Sequence, residues 1–360
     1  MTIRPGGHSR SDSALTRLVT RGCVVLPSAL PAAFLAVFAM SAPGAAQEAM
    51  RGAVHASDRC VPTLAPRATG GPQVADTGFH PTVGAAAWPA GHGPRVVIDE
   101  AHHNFHTVDG RYAPFARLLR ADGFVVEGSR APFTAASLAG VRVLVIANAT
   151  AERNAGGDWT LPTPSAFTPA EIAAVHDWVM AGGALLLIAD HMPFGGAAED
   201  LAAAFGALIT NGYATDAACS ADEFLFSRAD GTLADHPITR GRSAAERVTA
   251  VRTFTGEAFR VVAPGAPLLT LAPGAVLLFP TKAWEFGAGT ARMPAGGMLQ
   301  GAVLLAGRGR VAVFGEAAMF SAQVSGAARR PMGMNDPGAS QNPQFLLNTL
   351  HWLVGLLPAR

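Results

Sequence analysis

FTPAEIAAVHDWVMAGGALLLIADH, residues 167–191, sets a helix and a strand end to end. Thr168 stands where an N-cap belongs, Pro169 takes the first helical position, and Glu171 completes a capping-box pattern. Ile172, Val175 and Val179 recur at helical spacing, which predicts one buried stripe. Gly182 and Gly183 stop the helix. ALLLIADH (184–191) follows at once and stays apolar through its first six residues instead of alternating. A strand reads this way when helices cover both faces of a parallel sheet.

The same alternation extends outward. Upstream, RVVIDE (95–100) is a buried strand and YAPFARLLRADG (112–123) a helix with Phe115, Leu118 and Leu119 on one face. FVVEGSR (124–130) is a second strand. A short helix is expected near 134–139, then a third strand in VRVLVIANA (141–149). Downstream, AAEDLAAAFG (197–206) reads as a helix, and MLQGAVLLAGRGRVAVFGEAAMF (298–320) as two strands turning at Gly307–Gly309. QFLLNTLHWLVGLL (344–357) is a terminal amphipathic helix. Between them, VTAVRTFTGEAFRVV and APLLTLAPGAVLLFP add strands, some antiparallel. The order predicts a three-layer α/β domain over 93–360. Its sheet is doubly wound and mainly parallel with right-handed crossovers, and it carries an insertion and a C-terminal helix.

The N-terminus reads differently. Arg4, Arg10, Arg17 and Arg21 precede the apolar run CVVLPSALPAAFLAVFAM, and small residues follow. This predicts a signal peptide over 1–46, and so a periplasmic or secreted protein with no membrane span after cleavage. The alternative is a retained anchor, although Pro27 and Pro31 interrupt a run near the lower limit for spanning. Residues 47–92, rich in Ala, Gly and Pro, read as a linker or N-terminal tail. Cys23 leaves with the signal. Cys60 and Cys219 remain and are expected to form one disulfide, the alternative being two free, buried cysteines. A formal net charge of +1, with charged residues at only 15%, gives no electrostatic case for nucleic acid.

In open parallel sheets, ligands bind beyond the carboxyl ends of the strands. The first strand delivers Asp99, Glu100, His102, His103 and Asn104 there, within VVIDEAHHNFHTVDG (96–110). The third delivers Asn148 and Thr150, the fourth Asp190 and His191, and the late strand Glu316. Two long Gly/Pro-rich loops, 150–167 and 321–342, are placed to cover the same edge. This convergence predicts a ligand pocket for a small polar molecule or carbohydrate. Asp99, His102, His103 and His191 are also the donor types of a divalent-metal site, zinc or manganese, which would activate water. Alternatively, His191 beside Asp190 is a general base without metal, with Glu316 a further acid/base candidate. No G-x-S-x-G elbow, Walker loop or G-x-G-x-x-G after a strand occurs. Trp178, Trp284 and Trp352 read first as core residues, with a weaker case for stacking on sugars.

VVIDEAHHNF, LVIANA, the 167–191 stretch, GRVAVFGEAAMF and NPQFLLNTLHWL together resemble the DUF4350-like and GldG-like proteins of the class I glutamine amidotransferase-like superfamily. HPITRG (236–241) is similar to a phrase in its trehalose-utilisation-like branch. The resemblance covers roughly 95–355 and implies a flavodoxin-like sheet. The family's nucleophile cysteine sits at a strand–helix elbow. The comparable turn here reads Asp190-His191-Met192-Pro193, so glutamine hydrolysis by that route is not expected. The resemblance implies instead an envelope binding or accessory module, acting with a small ligand or a protein partner, or a hydrolase built on the His/carboxylate cluster.

Overall fold

The computed structural model describes residues 73–360 apart from residue 263. The expected signal segment 1–46, Cys23, Cys60 and the first part of the expected 47–92 tail lie outside the described residues. Nine strands share the central sheet: β1 (Arg95–Asp99), β2 (Val125–Ser129), β3 (Val143–Ala147), β4 (Ala184–Ile188), β5 (Ala207–Ile209), β6 (Phe259–Val261), β7 (Gly265–Thr270), β8 (Leu299–Ala306) and β9 (Gly309–Phe314). Their spatial order is β2-β1-β3-β4-β9-β8-β6-β5, with β7 also paired to β8. The first five in that order are parallel. The 2-1-3-4-5 succession of parallel strands is the flavodoxin-like arrangement. The strands beyond β9 run antiparallel.

Side-chain alternation divides the sheet into two cores. Val96, Ile98, Val145 and Leu186 face α1 (Ala113–Ala121) and the C-terminal helix, with Phe115, Leu119, Phe345 and Leu350 packed among them. Val97, Leu144, Ile146 and Leu187 face the other way, with Val175 and Val179 of α2 (Pro169–Met180) and Leu201 of α3 (Phe194–Ala203). The C-terminal helix, α4, is Asn342–Leu353. Burying each such Leu or Phe contributes about 1.5–3 kcal/mol, which is why both faces of the inner strands are apolar. Gly183 is needed between α2 and β4: a Cβ there would come within 2.3 Å of the Trp178 ring.

Three local expectations change. Residues 134–139 are turn, not helix, because the Thr134 and Ser137 hydroxyls take backbone bonds that a helix would use. α3 begins at Phe194, one turn early. Its first turn is hidden in sequence by Gly195 and Gly196, which are required because a Cβ at either would strike Asn211. The expected loop 321–342 contains a hairpin, Ala322–Ser325 with Arg330–Gly333, extended by Val74–Ala75 from the tail. Among the described residues, no helix is long and apolar enough to cross a membrane.

Candidate functional site

At the carboxyl end of β1, Asp99 and His102 form a closed group with Glu171 of α2. His102 Nδ1 lies 3.0 and 2.9 Å from the two Asp99 oxygens, and Nε2 lies 3.0 Å from Glu171 Oε1. A carboxylate only accepts, so both ring nitrogens donate and the ring is held as an imidazolium. Burial pushes His102 down, but the hydrogen bonds and charges of Asp99 and Glu171 outweigh it and raise its pKa. Glu171 also closes the capping box. Its Oε2 accepts from Thr168 N and Oγ1, and the Thr168 hydroxyl accepts from Glu171 N. Burial pushes the Glu171 carboxyl up. The Thr168 bonds, with those from His102 and Phe133 N, overcome this and bring it to about 2. Phe133 and Phe167 flank the His102 ring at 4.6 and 4.8 Å between centroids. The group ties strand, loop and helix together and leaves no nitrogen of His102 for a metal or substrate.

A cavity of about 290 Å³ opens beyond the ends of β3 and β4. Asn148, in left-handed backbone at φ 52°, follows β3 and lines it. Its Oδ1 accepts from Asp190 N at 3.0 Å, which orients the turn after β4 and aims Asp190 and His191 into the space. Asp190 Oδ1 accepts from His191 N at 2.8 Å and lies 3.5 Å from Thr255 Oγ1. His191 Nδ1 donates to the Met192 carbonyl at 2.7 Å, and its ring stacks on Tyr213 at 4.5 Å. Trp284, at φ 67°, stands edge-on to His191 at 4.6 Å. Opposite lie Phe105, Trp159 and Phe194, packed on one another at 5.3–5.5 Å. His106 lines the cavity with both ring nitrogens buried and unpartnered. Burial, then the Arg111 charge, push it well below the ordinary histidine range. Gln323, from the hairpin, adds an unpartnered Oε1.

The residues singled out by sequence thus divide. Asn148, Asp190 and His191 meet at the cavity, whereas Asp99 and His102 join Glu171 instead. Glu100 accepts from Val108 N and pairs with Arg130, bracing the loop after β1. His103 is exposed and gives its carbonyl to Thr150 Oγ1. Asn104 accepts from His102 N. Glu316 is fully buried and accepts from Ala318 N and Met319 N, which caps the short helical turn after β9. Among the described residues, no three His, Cys, Asp or Glu side chains gather as a set that could hold a metal ion. The expected donors Asp99, His102, His103 and His191 are parted because Asp99 and His102 are spent on each other and on Glu171.

Sequence reasoning missed the cavity's aromatic wall. Phe105, Trp159 and Phe194 come from loops and a helix start with no shared period, and Trp284 reads as a core residue. Thr255 and Gln323 come from the insertion and from the expected loop. His106 stands in the 96–110 stretch but carries no signal distinguishing it from its neighbours.

No family model and no curated protein match the chain. Several solved structures resemble it in fold. The mmIFT52 N-terminal domain aligns at 14% identity, covering 72% of this chain and 97% of that one, with a TM-score of 0.49. A cytoplasmic protein from Salmonella typhimurium LT2 aligns at 15%, covering 72% and 99%, with a TM-score of 0.43. A thua-like protein from Bacteroides uniformis aligns at 13%, covering 77% and 98%, with a TM-score of 0.43. The chain's strand order is that of the flavodoxin-like α/β fold, with no cysteine at the turn after β4.

Proposed function

We propose that this is an exported envelope protein of the DUF4350-like and GldG-like kind, a binding or accessory module whose strand-end cavity takes one small polar ring, a carbohydrate unit first of all. The cavity wall carries this reading. Phe105, Trp159, Phe194 and Trp284 offer flat apolar faces, and Asn148, Asp190, His191, Thr255 and Gln323 offer hydrogen bonds at their margins. A sugar presents C–H faces to rings and hydroxyls around its rim, so it satisfies both sets at once. The volume, about 290 Å³, sits at the small end for ligand pockets and suits a single ring. Export rests on the basic, apolar and small-residue order of 1–46. A protein partner in the envelope is the natural receiver of such a signal. The test is titration of the purified chain with a monosaccharide panel, read by tryptophan fluorescence. Saturable quenching, lost in Trp284→Ala, is expected; no response to any sugar would sink the reading.

One observation favours a second reading, a hydrolase. With Nδ1 committed to the Met192 carbonyl, Nε2 is the nitrogen of His191 left to take a proton, as a general base requires. Turnover of a glycoside or ester, falling by orders of magnitude in His191→Ala with the fold intact, would bring this reading to the front.

A further inference from the structure

The cavity carries acceptor atoms that have no partner among the described residues. His191 Nδ1 gives its proton to a carbonyl, so Nε2 accepts in the neutral ring. Asp190 uses Oδ1 for His191 N and Thr255, and its Oδ2 has no hydrogen-bond partner among the described residues. Gln323 Nε2 donates to Ser321 Oγ at 2.6 Å, leaving Oε1 buried and unpartnered. On the donor side stand Asn148 Nδ2, the indole N–H groups of Trp159 and Trp284, and one N–H of His106, whose other nitrogen accepts.

Asp190 is 5% exposed, and no Lys or Arg is among the residues lining the cavity. Arg111 lies behind the wall, stacked on the Phe105 ring at 3.6 Å and bonded to the Gln73 carbonyl at 3.1 Å. The negative field is felt nearby. Burial first, then the charge of Asp190 among others, push the Tyr112 and Tyr213 hydroxyls and the Glu257 carboxyl upward. A buried carboxylate without a counter-charge is unfavourable, and a bound cation removes that cost. Aromatic faces also attract a cation through their quadrupoles.

We infer that the ligand of this cavity carries a positively charged amino group, as an amino sugar or a small organic ammonium does, seated against Asp190 among the aromatic rings. The inference rests on the cavity being a ligand site, as proposed above, and narrows its chemistry. An anionic sugar does not suit the same place, because the Asp190 carboxylate repels it.

The experiment compares glucosamine, N-acetylglucosamine, glucose, glucuronate and tetramethylammonium on the full chain by tryptophan fluorescence and calorimetry. Glucosamine is expected to bind at least about tenfold more tightly than glucose or N-acetylglucosamine, and glucuronate not at all. Asp190→Asn keeps an acceptor for His191 N and is expected to erase the preference for glucosamine over glucose. Competition by tetramethylammonium alone would assign the site to organic ammonium ions and still support the inference. Equal binding of glucosamine and glucose in the native chain overturns the inference and leaves the sugar-binding reading standing. No binding by any probe overturns both. The native comparison needs no variant, so a misfolded Asp190→Asn does not blunt the test.

Discussion

His102 and His106 stand four residues apart on one loop, and both are buried. Each nitrogen of His102 meets a carboxylate, and neither nitrogen of His106 meets any partner. Burial disfavours the charged form of both. Only at His102 do Asp99 and Glu171 reverse the outcome. The first histidine is therefore part of the framework, and the second faces the cavity beyond the strand ends. Residue type and spacing were the same signal for both, so saturation of hydrogen bonds, not the presence of histidine, separates scaffold from site.

The largest break of this contrast is His102→Ala. It leaves Asp99 and Glu171 buried without their shared cation, at a cost on the order of 3–5 kcal/mol. Urea unfolding should show the loss, while the folded fraction keeps its ligand response. A ligand response lost together with stability would mean that the two groups are one site.

Acidification is the next test. The Glu171 carboxyl is brought from 4.5 to about 2, so its stabilisation is full above about 4.5 and is lost as pH falls through 2. The amount is about 3 kcal/mol. Glu171→Gln should flatten this acid limb in a stability–pH profile. His102 gives the opposite limb: its pKa is raised from 6.5, so its contribution is full below 6.5 and fades as pH rises through the raised value. The clamp should hold best from about pH 4.5 to 6.5.

Asp190→Asn is expected to change stability by about 1 kcal/mol or less, because the bond from His191 N persists. Calorimetry should show that the same variant alters ligand preference, the reverse of His102→Ala. The smallest effect belongs to His103→Asn. His103 is exposed at φ 48°, a conformation that Asn tolerates, so neither stability nor binding should move beyond about 0.5 kcal/mol.

Much of this frame was legible in the chain. The apolar run 184–188 and the capping box of Thr168 and Glu171 gave the inner strand and its helix, since local propensity and burial agree there. Asn148, Asp190 and His191 were placed correctly at the strand ends because parallel topology forces them to that edge. The clamp was not legible. The capping box already explained Glu171, and nothing along the chain showed that its other oxygen reaches His102, 69 residues away. The aromatic wall was hidden for a different reason. Its rings come from four separate segments whose meeting depends on loop paths, and loops carry no periodic signal.

The shared use of Glu171 also has a genetic reading. One side chain starts α2 and holds the histidine beyond β1, so neither task can be redesigned alone. In a pairwise substitution scan, Asp99, His102, Thr168 and Glu171 should behave as one epistatic block: single changes harmful, coordinated apolar replacements tolerated, and the effects far from additive.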